Sequence, residues 1–130
     1  MMYHKKYMDI PEDAFEIPSM AFHGCGSLKE LVIPDTIRWI GHGAFDSCTS
    51  LERIELPQDL QDIGYGAFRN CSSLTEMIGA DQFVFPGMKH VFDGCRKLDI
   101  SSMTLGVRKQ ISFMCFRNSG THWISIVMLS

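Results

Sequence analysis

The sequence predicts a β-rich repeat solenoid in which 23-residue coils stack through a parallel sheet, with short helical or 3₁₀ turns between the extended segments. Three observations carry this expectation. The pair Ala21-Phe22 recurs as Ala44-Phe45 and Ala67-Phe68 at steps of 23, and then as Val91-Phe92 after a step of 24. Cys25, Cys48, Cys71 and Cys95 keep the same phase. Each of these cysteines is followed three residues later by a leucine: Leu28, Leu51, Leu74 and Leu98. A fixed period of this length marks stacked supersecondary units, none of which can enclose a core alone.

Other apolar columns obey the same spacing, among them Met8, Leu31, Ile54 and Met77, and Ile17, Ile40 and Ile63. The first extended segments run Leu28 to Pro34, Leu51 to Pro57 and Leu74 to Gly79. Their apolar residues fall at positions 1, 4 and 6. Positions 4 and 6 share one face of an extended chain, and position 1 turns in from the preceding corner. Pro11, Pro34 and Pro57 end these strands because proline has no amide hydrogen for the ladder. A second extended stretch, Ile-x-x-Ile-Gly, then closes at a turn marked by Gly41, Gly64 and Gly87, with Pro18 at the earlier position. The segment Gly-Ala-Phe-x-x-Cys is read as one helical or 3₁₀ turn, and its phenylalanines as the thickest part of the core. The register runs from about residue 5, where Lys5 replaces the expected leucine, to 105. The domain reading is therefore a solenoid over 1–105 and a separate end over 106–130.

That end carries two strand-like runs, residues 109–116 and 122–129, joined by a turn at Arg117 to Gly120. They read as a β-hairpin that caps the last coil, since a bare solenoid end exposes core and strand edge. A degenerate end of a longer array is the alternative, and homodimerisation through the hairpin is a further expectation.

The 18 residues from Ile40 to Pro57 follow the pattern I-G-x-x-A-F-x-x-C-x-x-L-x-x-I-x-I-P almost completely. The unit from Ile63 follows it through Met77, and Pro86 to Phe92 is a looser copy. These residues resemble the BspA-type leucine-rich repeat family. The resemblance implies an α/β leucine-rich-repeat solenoid used for protein or surface recognition, in adhesion or host contact in bacteria and parasites, with no family active site to carry over.

Composition narrows the function classes further. The 130 residues carry 12 Lys+Arg against 15 Asp+Glu, a net charge of −3, which argues against a duplex nucleic-acid binder relying on a basic surface. No apolar run approaches the roughly 18 to 20 residues that cross a bilayer, and the N-terminal residues lead into no signal-peptide core. Membrane insertion is not expected, and the localisation reading leans cytoplasmic, with reduced cysteines. Metal chemistry is not expected either, because zinc sites want close Cys pairs and these thiols stand 23 or 24 residues apart. Stacking brings them near disulfide range, but parallel inward side chains have poor torsion for the bond. A column of small, reduced, buried hydrophobes is the leading reading, with an adventitious disulfide or a bound metal as alternatives.

The five histidines occupy different phases, and His23 shares its column with Asp46, Arg69 and Asp93, which reads as a solvated position. The Gly-x-Gly pairs belong to repeat turns and no Gly-Lys-Ser/Thr follows, so no cofactor is expected. With no catalytic pairing the protein is read as a non-enzyme. The outward strand positions read either as a self-satisfied charged face or as a polar recognition surface using the same groups, and they are the candidate partner-binding surface. Glu30, Arg53 and Glu76 alternate in sign down one row, with Lys29 and Glu52 in a second and Val32 and Ile78 flanking Glu55 in a third. Trp39 and Phe85, near the second extended stretch, complete the set. The function expected is a scaffold that recognises a protein ligand; the alternative is a structural unit or fragment with no binding activity of its own.

Overall fold

A computed structural model describes residues 10–79 and 90–99. Among the described residues the chain winds through six short strands: β1 (Glu16–Ile17), β2 (Glu30–Val32), β3 (Trp39–Ile40), β4 (Arg53–Glu55), β5 (Asp62–Ile63) and β6 (Glu76–Ile78). They form two three-stranded parallel sheets, in the orders β1-β3-β5 and β2-β4-β6. The odd-numbered sheet is built from the second extended stretch of each coil, so both extended stretches enter ladders. Register follows the period: Ile17 pairs with Ile40 and Ile40 with Ile63, while Leu31, Ile54 and Met77 align in the other sheet. In each strand one apolar residue, Ile17, Leu31, Ile40, Ile54, Ile63 or Met77, is buried and its strand neighbours point outward.

The two sheets and the turn segment enclose one continuous core. Leu28, Leu51, Leu74 and Leu98, the six inward strand residues and the Ile37–Leu60 pair all join it. Phe45, Phe68 and Phe92 are fully buried at its centre. Their rings stack down the solenoid with centroids 5.2 Å and 5.8 Å apart, and Phe22 extends the column at 5.4 Å from Phe45. The expected placement of the phenylalanine column is thus the observed one.

The turn segment differs from the expected helical or 3₁₀ turn. Ala44, Asp46 and Cys48 donate their amides back to Gly41, Gly43 and Phe45, which are the i→i+3 bonds of a 3₁₀-helix without its continuity. The intervening amides of Gly43, Phe45 and Ser47 instead donate to Tyr65, Ala67 and Arg69 of the next coil. A helix would direct all its amides along its own axis. Here every second one stitches neighbouring coils, which gives these amides partners across the stack. The alternation requires left-handed backbone at two places per coil. Met20, Gly43, Gly66 and His90 form one such column (φ 56° to 62°), and Gly24, Ser47, Asn70 and Gly94 the other (φ 61° to 80°). Glycine therefore recurs in both columns because it takes this conformation at no steric cost.

Gly64 is needed for a second reason. A Cβ there would lie 2.6 Å from the His42 amide nitrogen and 2.8 Å from the Gly41 carbonyl carbon, so the coils approach too closely for any side chain. Lys5, Met8, Phe83, Gly87, Cys115 and the expected 106–130 hairpin, with the dimerisation read from it, lie outside the described residues.

Candidate recognition surface

The outward rows of the two sheets differ in how their charges are used. On the β2-β4-β6 sheet, Glu30 aligns with Arg53 and Arg53 with Glu76, and Val32, Glu55 and Ile78 form the next row, as the period predicts. Arg53 sits among three carboxylates. Its Nε donates to Glu76 Oε1 at 3.1 Å, and its Nη1 lies 3.8 Å from Glu30 and 3.9 Å from Glu55. These are exposed groups, so each pair contributes little to stability, but together they hold the row in a self-matched arrangement. Lys29 and Glu52 are exposed beside it, and Val32 leaves 60% of its surface open.

The β1-β3-β5 sheet presents a different row: Glu16, Trp39 and Asp62, all exposed and in direct register. Trp39 is 45% exposed. The ring of Phe15, 60% exposed, meets it edge-to-face with centroids 6.3 Å apart and planes at 84°. The sequence flagged Trp39 by its residue type but missed Phe15, whose column continues as Arg38 and Gln61 and carries no aromatic pattern. Phe85, the other flagged aromatic, lies outside the described residues.

The column of His23, Asp46, Arg69 and Asp93 departs from its expected solvated character in the inner coils. His23 is exposed, but Asp46 is only 4% exposed. Asp46 is compensated by Arg69 Nη2 at 2.9 Å and by the Ser47 hydroxyl at 2.9 Å. Two coils further on, Asp93 meets His90 Nδ1, and the His90 ring packs 5.0 Å from Tyr65. The solvated reading fails here because each inner turn is shielded by the coil that precedes it as well as the one that follows. His23, in the first described turn, lacks that shielding.

Cys25, Cys48, Cys71 and Cys95 are not in disulfides, the first being half-buried and the rest buried. Cys48 donates its thiol hydrogen to the Phe22 carbonyl at 3.3 Å, Cys71 to that of Phe45 at 3.3 Å, and Cys95 to that of Phe68 at 3.1 Å. Burial pushes the Cys48 thiol up to about 12. Cys71 is also raised, by its hydrogen bond with Cys95 and then by burial. Cys48 and Cys71 are therefore protonated structural donors at neutral pH, unsuited to nucleophilic chemistry. Among the described residues no group of three or more His, Cys, Asp or Glu is placed to hold a metal ion, and no helix is long and apolar enough to cross a membrane.

Two parallel ladders, a stacked aromatic core and outward rows of unlike chemistry define a repeat scaffold of the leucine-rich type. The chain belongs to the BspA-type leucine-rich repeat family, whose model matches residues 4–122 in six copies. Among solved structures it is similar to a leucine-rich repeat protein from Bacteroides ovatus, at 37% identity and a TM-score of 0.57 over 66% of this chain and 22% of that one. It is also similar to a leucine-rich repeat protein of T. pallidum, at 35% identity and a TM-score of 0.64 over 74% of this chain and 47% of that one. The chain thus spans less than half the length of either. No curated protein matches it.

Proposed function

We propose that this repeat scaffold recognises another protein, with Trp39 as the central anchor of the contact surface. The observation that supports this is the exposure of Trp39 and Phe15 side by side on an outward sheet face. A rigid strand holds the indole while leaving its surface open, and aromatic anchors of this kind dominate binding energy at protein interfaces. The self-matched Arg53 row and Val32 on the other sheet are assigned a secondary part, because their charges already have partners. No catalytic role is assigned to any residue.

The test is selection of a displayed random-peptide library against the full chain, followed by anisotropy titration of the enriched peptides. Enriched peptides are expected to bind Trp39→Ala about tenfold or more weakly, as an anchor residue requires, with an unchanged far-UV circular dichroism spectrum. Equal binding to Trp39→Ala overturns the proposal. So does the absence of any enrichment, which is what a purely structural unit would show.

A further inference from the structure

The surroundings of Trp39 specify the chemistry of a partner. The coils are about 4.8 Å apart at the strands, so Glu16 and Asp62 flank the indole at that spacing on either side within a single row. The turns that lead into these strands add Glu12, Asp13, Asp35 and Asp59, all exposed. Thr36 Oγ1 donates to the Glu12 carbonyl at 3.0 Å, which ties the first two of these turns together. Across residues 12–16, 35–39 and 58–62, six carboxylates stand against one guanidinium, that of Arg38. Arg38 donates through Nη1 to the carbonyl of Asp35 in its own turn, at 2.9 Å. The contrast with the other sheet is chemical: there, Arg53 lies among the glutamates and matches them.

We infer that the β1-β3-β5 face docks a basic polypeptide segment, an extended stretch bearing arginine or lysine that lays a cationic side chain over Trp39 between Glu16 and Asp62. The inference rests on the recognition reading above and deepens it. The sheet face supplies the aromatic surface, and charge complementarity selects the occupant. An indole face attracts a cation through its quadrupole, and a carboxylate on each side attracts the same cation from the flanks. A guanidinium suits the site best, since it stacks on the ring while its edges donate hydrogen bonds to both carboxylates. Phe15, edge-on to Trp39, extends the apolar floor for the stem of that side chain or for its neighbour. Asp62 Oδ1 already accepts the Ile63 amide at 2.9 Å, which restricts the rotation of that carboxylate. Nucleic acids and acidic segments are repelled by the same six carboxylates.

The experiment uses the full chain carrying Trp123→Phe, so that emission reports Trp39 alone, because the chain has two tryptophans. It is titrated with three twelve-residue peptides that alternate serine with arginine, lysine or glutamate. The arginine peptide is expected to change Trp39 emission saturably, the lysine peptide more weakly, and the glutamate peptide not at all. Raising the salt from about 50 to about 200 mM is expected to weaken the arginine peptide about fivefold, as exposed charges are screened over that range. The double variant Glu16→Gln, Asp62→Asn is expected to weaken it about tenfold; asparagine keeps the acceptor for the Ile63 amide, so the strand is preserved. Arg53→Ala on the other sheet is expected to leave it unchanged. Equal response to the glutamate peptide, or full binding by the double variant, overturns the inference. If the peptide library yields Trp39-dependent binders without arginine or lysine, the basic-partner inference falls while recognition through Trp39 stands. If no Trp39-dependent binder emerges at all, both fall.

Discussion

Cys71 donates its thiol hydrogen to the carbonyl oxygen of Phe45, 3.3 Å away in the preceding coil, and that same oxygen accepts the amide of Cys48. The pattern repeats with Cys48 on Phe22 and Cys95 on Phe68. Cysteine therefore does two things in this column: it fills a small apolar slot and it gives the second lone pair of a buried carbonyl a weak donor. Alanine would meet only the first requirement. Serine would meet the second with a more polar group that is costlier to bury.

This linkage makes the fold labile to alkali. The Cys48 thiol is raised from an ordinary 9.0 to about 12 in the folded chain, by burial and then by the neighbouring Cys71. Above pH 9 the unfolded thiol loses its proton while the folded one keeps it. The stabilisation is therefore complete below pH 9 and is lost as the pH rises through about 12. Urea midpoints are expected to fall over that window by an amount equivalent to about 1 kcal/mol per pH unit for the Cys48 thiol. A Cys48→Ala chain with the same pH slope as wild type would contradict the assignment.

Phe45→Ala removes the central ring of the stacked column, between Phe22 and Phe68. The expected loss is about 3 to 5 kcal/mol, enough to unfold so short an array. Phe22→Ala, at the half-buried end, is expected to cost roughly half as much by the same cavity argument. Chemical denaturation checks the order, and an unchanged midpoint for Phe45→Ala would refute its central role.

Asp46 and Arg69 are unequal partners. The carboxylate is buried, whereas 42% of the Arg69 side chain is open to solvent. Removing the arginine strands a buried charge; removing the aspartate frees a guanidinium that can turn outward. Arg69→Ala is therefore expected to destabilise by about 1 to 3 kcal/mol, below the range for fully buried pairs because solvent screens this one. Asp46→Ala should cost less, and thermal melts showing the reverse order would contradict this account.

Gly64→Ala and Gly26→Ala separate close approach from simple flexibility. A methyl at Gly64 meets backbone of the preceding coil, whereas at Gly26 nothing lies within 4 Å. The first is expected to lower stability by about 2 to 4 kcal/mol, because the obstacle is backbone that cannot swing away. The second should stay within about 0.5 kcal/mol of wild type. Comparable melting temperatures for the two variants would show that coil spacing relaxes more readily than the geometry implies.

Much of the fold was legible because a solenoid repeats the same physical problem in every coil. Inward strand residues, the phenylalanine and cysteine columns, and the row alignments of Glu30 with Arg53 and of Val32 with Glu55 follow from a period that stacking must respect. The turn geometry was less legible. Hydrogen bonds between coils compete with those of a helix, and a spacing of Ala-Phe-x-x-Cys is compatible with both. The candidate surface was legible in part: Trp39 stood out by type, whereas Phe15 lies in a column whose other members are polar. Its exposure and its contact with Trp39 depend on how the first coil is placed.

By itself the sequence determined the period, the inward columns and the strand register, because these rest on the alternation of side chains and on a repeat length that every coil shares. Only the tertiary structure decided which charges are self-matched and which are left facing outward. Arg53 and Arg38 look alike along the chain, but neighbouring coils set glutamates around the first, while the second is drawn to its own turn. Ion pairing depends on distances across coils, which the repeat length alone does not give.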